Sequence, residues 1–245
     1  MIVYKPLGII KAITFDLDDT FYANWPYIVE AEQHLREFIA EHYPQAAHYD
    51  SADWLAFKKQ ALEEDPALRH DMGELRTLTL TKAFVNCGVS SDKIPEAVSQ
   101  CFDTFYHKRS DFSVDKSIHK ALRKLAKRVP LVAITNGNVN VKQIGIAKYF
   151  THVLHSSKSR RMKPHSDMFI EAARLLDLRP NQILHVGDNL EKDVWGATQA
   201  GYYSAWFAYD RDMVLSRETV RTLPHLQLQS IAQLKKVLKG QKQED

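Results

Sequence analysis

The sequence predicts an α/β protein, a doubly wound, Rossmann-like parallel sheet interrupted by an inserted all-α segment. Three observations carry this reading. Three short apolar runs each end abruptly in small or polar residues. Helical patterns alternate with such runs from about residue 114 to 209. The interval from Phe21 to about Phe112 shows helical spacing and no convincing strand. Continuous apolar runs too short for a helix suit parallel strands covered on both faces. Their alternation with helices is the pattern of a doubly wound sheet.

The first run, Ala12-Ile13-Thr14-Phe15, leads into Asp16. Four helical stretches follow. Trp25, Ile28, Leu35, Phe38 and Ile39 mark the first; Leu55 and Leu62 lie in the second; Leu75, Leu78 and Ala83 mark the third. Ile94, Ala97, Val98, Cys101, Phe102 and Phe105 form the cleanest stripe. Apolar residues at this spacing are expected to build core. Ile118, Leu122, Leu125, Ala126 and Val129 then mark a helix before the second run, Leu131-Val132-Ala133-Ile134, which opens into Thr135-Asn136-Gly137. Val153-Leu154 is a weaker strand, and Phe169, Ala172, Ala173 and Leu176 form a helical face. The third run, Ile183-Leu184-His185-Val186, ends in Gly187-Asp188. A helix expected over Asp193–Ala200 stops at Gly201, where glycine favours termination. Ser204-Ala205-Trp206-Phe207 is a further weak strand. Residues 1–20 and 113–245 are thus expected to form the α/β domain, and 21–112 a helical insertion. The polar tail after Leu238 suggests no function.

Composition narrows the function classes. The 245 residues are 44% hydrophobic and 26% charged, enough for a sizeable core. A net charge of +3 is too slight to imply a nucleic-acid or membrane partner. Two cysteines, Cys87 and Cys101, cannot make a disulfide framework or a four-ligand zinc site, so free thiols are expected. No apolar run approaches the roughly 20 residues of a membrane span. Lys5, Pro6 and Lys11 interrupt any signal-like core near the start. The expectation is a cytoplasmic protein.

The chemistry gathers at strand ends. Side chains two apart in extended backbone point the same way, so Asp16 and Asp18 project together while Leu17 faces elsewhere. Ligands of open α/β sheets bind at the carboxyl ends of strands. Adjacent carboxylates there raise one pKa or recruit a cation, although the pentapeptide alone also fits a solvated acidic loop. Thr135 and the amides of Asn136 and Gly137 offer neutral donors to phosphoryl oxygens. Asp188 and Asp193 offer hard oxygen ligands suited to magnesium. Lys163 adds a positive charge just before a helix.

Asp16-x-Asp18-x-Thr20, Thr135, Lys163-Pro164 and Gly187-Asp188-(x)4-Asp193 together resemble the four motifs of the haloacid dehalogenase (HAD) superfamily. The insertion directly after the first motif resembles its C1 cap, so the resemblance spans nearly the whole chain. It implies hydrolysis of a small phosphorylated metabolite through an aspartyl-phosphate. Asp16 would be the nucleophile and Asp18 the acid and base. Mg²⁺ would lie between Asp16, the Asp18 main-chain carbonyl and Asp188. Thr135, Asn136 and Lys163 would hold the phosphoryl oxygens, with Thr20 and Asp193 supporting from behind, Asp193 by orienting Lys163 or a metal-bound water. Haloacid dehalogenases attack carbon and need neither magnesium nor an acid two residues on, so Asp18 with Asp188 argues for phosphate chemistry. A phosphomutase shares the first step and is a further alternative. Many C1 relatives carry Gly two residues before the lysine and Asp after its proline. Arg161 and His165 stand there instead, so the shape of loop 156–162 is not implied.

The cap speaks less clearly. Tyr22, Asn24 and Arg76 are candidates to face the leaving group, Arg76 because it is a fixed cation among apolar helix positions. Tyr22 or Trp25 could wall an aromatic ring. Lys158, Arg160 and Arg161 could add positive potential at the phosphate entry.

Overall fold

The run Ala12–Phe15 is an interior strand of a seven-stranded sheet in the computed structural model, which describes residues 1–240. The strands are β1 (Ile2–Val3), β2 (Ala12–Phe15), β3 (Leu131–Thr135), β4 (His152–His155), β5 (Ile183–Gly187), β6 (Tyr203–Trp206) and β7 (Leu226–Gln227). Their order is β1-β7-β6-β5-β2-β3-β4. All pairings are parallel except that of β1 with β7. From β2 the chain builds outward through β3 and β4, then returns to the other side of β2 as β5. Such a reversal opens a crevice at the carboxyl ends of the two diverging strands.

The helices are α1 (Asn24–His42), α2 (Ser51–Glu64), α3 (Met72–Asn86), α4 (Ile94–Arg109), α5 (Lys116–Ala126), α6 (Asp167–Leu176), α7 (Gly196–Gln199) and α8 (Leu234–Lys239). Strand alternation divides the α/β core into two layers. Ile13, Phe15, Leu131, Ala133, Leu184 and Val186 pack with Ile118, Leu122 and Leu125 of α5 and Leu234 of α8. Ala12, Val132, Ile134 and Ile183 pack on the other face with Met168, Phe169 and Ala172 of α6. Covered on both faces, these strands are apolar throughout, which explains their continuous runs.

Helices α1–α4, inserted between β2 and β3, have their own apolar centre. Ala31, Leu35 and Ile39 of α1 meet Ala97, Val98, Cys101 and Phe105 of α4. Asp50 starts α2 with a reciprocal capping box to Asp53, and Asp71 caps α3 through Glu74. Both cysteines are free, and burial pushes the Cys101 thiol up to about 12.

Three details differ from the sequence reading. Trp25 and Leu55, expected in helix stripes, are 72% and 66% exposed and border a cavity instead. The Asp193–Ala200 helix begins earlier, as a π-helical turn at Leu190–Trp195 that passes into α7. Strands β1 and β7 were not anticipated, because two residues carry no periodic signal. Of the polar tail, residues 241–245 lie outside the described residues. No helix of the described residues is long and apolar enough to cross a membrane.

Candidate active site

The pairing of Phe15 with Val186 and Ala133 sets the ends of β2, β5 and β3 side by side. Asp16, buried at 7% exposure, leaves β2 there and is held by its own amide bonding Val186 O at 2.9 Å. Leu17 turns into the core, and Asp18 emerges beside Asp16. Asp19 follows in a left-handed conformation (φ 57°), which aspartate tolerates. Its carboxylate accepts from the amide of Asn24, the first residue of α1, at 2.8 Å. The acidic loop is therefore a built turn rather than a solvated one.

A buried polar chain runs beneath Asp16. Lys163 Nζ donates to Asp16 Oδ1 at 2.5 Å and to Asp193 Oδ1 at 2.6 Å. Thr20 Oγ1 donates to Asp16 Oδ2 at 3.3 Å. Asp193 Oδ1 also meets His185 Nε2 at 3.1 Å, and His185 Nδ1 meets Thr14 Oγ1 at 2.8 Å. The other oxygen, Oδ2, accepts from the Asn189 amide at 3.0 Å. Burial opposes charge on Lys163, yet the two carboxylates outweigh it and raise its pKa. Against the same cost of burial, Lys163 and His185 hold Asp193 well below the usual carboxylate range. Burial lowers His185, keeping it neutral. His185 and Thr14 were missed in the sequence, although a histidine within the run Ile183–Val186 was the visible signal.

Close packing fixes this geometry. A Cβ on Gly187 would lie 2.2 Å from Asp193 Cγ, so only glycine lets the π-helical turn lie against β5. Asn136 ties down the lysine loop, accepting from the Lys163 amide at 2.7 Å and donating to its carbonyl at 3.0 Å. The Asn136 side chain is thus committed to Lys163. Thr135 is fully buried and accepts from the Gly137 amide at 3.1 Å.

Asp188 completes the acidic group. Its carbonyl accepts from Trp206 Nε1 at 2.7 Å and from Arg211 Nη2 at 3.0 Å, while Arg211 Nη1 donates to its Oδ2 at 3.0 Å. Burial, then repulsion from Asp193, pushes the Asp188 carboxyl up to about 7 despite Arg211. Burial, followed by neighbouring aspartates, likewise raises Asp16 well above its ordinary value against the pull of Lys163. Asp16, Asp188 and Asp193 each offer a carboxylate oxygen within 4.8 Å of the others. Asp193 is already satisfied by Lys163, His185 and Asn189. Charge on Asp16 and Asp188 is disfavoured as they stand, and this hard-oxygen pair fits a divalent cation such as Mg²⁺, which would offset that cost.

Asp18 faces away from the lysine, toward the inserted helices. It accepts from Tyr22 Oη at 2.6 Å and from Arg109 Nη2 at 3.0 Å on each oxygen. Arg109, the last residue of α4, was not anticipated. Its signal was position: Cys101, Phe105 and Arg109 lie four apart on one buried stripe. Tyr22 packs on Phe112 within the core.

Beyond Asp18 a cavity of about 830 Å³ runs under the inserted helices. Trp25, Ile28, Trp54, Leu75 and Phe105 give it apolar and aromatic walls. Arg76 lies in this wall, its guanidinium 3.4 Å from the centre of the Phe105 ring and Nη2 2.6 Å from Glu32 Oε1. The expected basic entry differs. Lys158 pairs with Asp65 and Glu74 of the insertion, Arg160 with Glu171 and Arg161 with Asp167. Acidic partners within hydrogen-bonding distance leave this loop little net positive field.

The strand-end acidic group and buried lysine under a helical cover mark a hydrolase. The chain matches the haloacid dehalogenase-like hydrolase family over residues 10–201 and belongs to it, as a phosphatase of that family. It is 35% identical to the 5-amino-6-(5-phospho-D-ribitylamino)uracil phosphatase YigB of Escherichia coli (strain K12), over 94% of this chain and 97% of that protein. It is also similar to a crystal structure described as a 2-haloacid dehalogenase from Pseudomonas syringae pv. Tomato DC3000. That likeness has a TM-score of 0.85 and 33% identity, over 94% of this chain and 99% of the other. The fold is shared with the HAD-hydrolase YfnB of Bacillus subtilis, described bound to magnesium, at a TM-score of 0.62 and 16% identity over 95% and 100% of the two chains.

Proposed function

We propose that this enzyme is a Mg²⁺-dependent phosphatase of 5-amino-6-(5-phospho-D-ribitylamino)uracil in riboflavin biosynthesis, and that it also accepts flavin mononucleotide. The observation that carries this reading is the shape of the space beyond Asp18. A chamber of about 830 Å³ with aromatic walls suits a leaving group containing a ring and is more than a two- or three-carbon phosphate fills. The Arg76–Glu32 pair in its wall combines donors with an acceptor, as the edge of a pyrimidinedione requires. The name of the E. coli relative supports the same substrate.

In this reading Asp16 attacks phosphorus in line, forming the aspartyl-phosphate and breaking the bond to the leaving oxygen. Asp18 gives that oxygen its proton, then takes one from the water that hydrolyses the intermediate. Lys163 and Thr135, with the Asn136 amide, hold the non-bridging oxygens, and Lys163 lessens repulsion between Asp16 and the dianion. Asp16, the main-chain carbonyl of Asp18 and Asp188 would hold Mg²⁺, which supplies neutralising charge for the phosphoryl group. Asp193 orients Lys163. Residues 21–112 act as the cap. Asp18 beside Asp188 sets this site apart from dehalogenation, where Asp attacks carbon.

A phosphatase panel with Mg²⁺ tests the substrate. It compares the ribitylaminouracil phosphate, flavin mononucleotide, sugar phosphates and nucleotides. The first two should give the highest kcat/KM. Sugar phosphates or nucleotides doing as well would leave the general phosphatase without the riboflavin role. Phosphate release that survives in pure Asp16→Asn protein would overturn the nucleophile assignment.

A further inference from the structure

Arg109 belongs to the inserted helices, yet its shortest bonds run to Asp18 of the α/β core. It is 2% exposed at the end of α4, and Nη2 lies 3.0 Å from both oxygens of Asp18, 91 residues away in sequence. The same nitrogen reaches Asn24 Oδ1 at 3.4 Å. Nη1 is shut off from solvent and has no hydrogen-bond partner among the described residues. A guanidinium kept for stability alone would be expected to satisfy both forks, since an unmade buried hydrogen bond is costly. Here the second fork is left unmade while the first is centred on one carboxylate.

The surroundings of Asp18 point the same way. Tyr22 Oη donates to Oδ1 at 2.6 Å. A Cβ on residue 137 would lie 2.2 Å from Asp18 Oδ2 and 3.1 Å from Arg109 Nη2, so Gly137 is the residue that admits this carboxylate and its partner together. Three elements therefore converge on one side chain: the loop after β2, the loop after β3 and the last turn of α4.

We propose that Arg109 is a positioning residue that aims Asp18 for proton transfer, making the acid–base step depend on the seating of α4 against the core. Arg109 acts through Asp18 and needs no contact with substrate. The inference rests on the acid–base role given to Asp18 above.

Leaving-group dependence tests it. The probes are aryl phosphates graded from p-nitrophenyl phosphate, whose phenolate departs without a proton, to phenyl phosphate, whose leaving group needs one. Arg109→Met should lower kcat/KM, which reports only the steps through departure of the leaving group, by about 10²-fold on phenyl phosphate, the scale of a lost general acid, and far less on p-nitrophenyl phosphate. In an Asp18→Asn background the same change should add little further loss on phenyl phosphate, because coupled residues are not additive. Arg109→Lys keeps the charge without the planar fork, so it should show the same selectivity in weaker form. It also answers the question should the Met variant fail to fold. Equal losses of kcat/KM on all esters, or losses that multiply with Asp18→Asn, would overturn the inference while leaving the phosphatase intact. A wild-type enzyme inactive on every ester with Mg²⁺ would overturn the phosphatase reading itself, and this inference with it.

Discussion

Lys163 and Asp193, thirty residues apart in sequence, form an ion pair at 2.6 Å in which neither side chain is more than 2% exposed. Removing one partner of a buried pair leaves the other charge uncompensated, at a cost of about 3–5 kcal/mol. Asp193→Asn should therefore lower the urea midpoint as well as turnover. The pKa of Asp193 is depressed on folding, so its stabilisation is full above the unfolded carboxylate value, about 3.9, and lost as pH falls through the folded value. The variant should accordingly lose less stability on acidification than wild type. A variant as stable as wild type at pH 7 would show that the pair contributes nothing net.

If Asp188 holds Mg²⁺ as proposed, metal affinity should depend on pH. Its carboxyl is pushed up to about 7, so below that pH a cation must displace a proton. Mg²⁺ affinity measured by titration calorimetry should weaken below pH 7, by up to about tenfold per unit. Proton release should accompany binding at pH 6 and fade by pH 8. An affinity flat between those values would contradict the assignment of Asp188 as a ligand.

Gly137 and Gly187 are confined by side chains rather than by backbone angle, since neither has a positive φ. A Cβ at 137 meets the carboxylate of Asp18, which can turn aside only by giving up its bonds to Tyr22 and Arg109. A Cβ at 187 meets Asp193, locked to Lys163, His185 and Asn189. Gly137→Ala should lower kcat with a small change in melting temperature. Gly187→Ala should lower the melting temperature by several degrees, as overpacking by about 1–3 kcal/mol does. Circular dichroism melts beside steady-state kinetics separate the two.

Arg76 tests the leaving-group chamber. If it reads a ring edge there, Arg76→Met should raise KM for the ribitylaminouracil phosphate about tenfold, the worth of one charge-assisted hydrogen bond. KM for p-nitrophenyl phosphate, which does not fill the chamber, should stay near wild type. Equal increases for both would place Arg76 in the structure of the insertion rather than in recognition.

Much was legible because local rules act over short spans. The runs at 12–15, 131–134 and 183–186 are strands because helices cover both their faces, and α1–α4 lie where helical spacing placed them. The insertion was harder to read. Trp25 and Leu55 fit an apolar stripe as well as Leu35 does, but a helical period does not say whether a stripe meets another helix or a cavity.

By itself, then, the sequence determined the parallel sheet, the helical insertion and the acidic groups and lysine at the strand ends. Each of these follows from periodicity, turn chemistry or charge within about a dozen residues. Tertiary structure alone decided which buried polar groups satisfy one another: His185 and Lys163 on Asp193, Arg211 on Asp188, Arg109 on Asp18. It also turned the basic residues 158, 160 and 161 toward acidic partners. The physical reason is that a buried charge must find its counter-charge wherever the closed chain brings one, and for Arg109 that is 91 residues away.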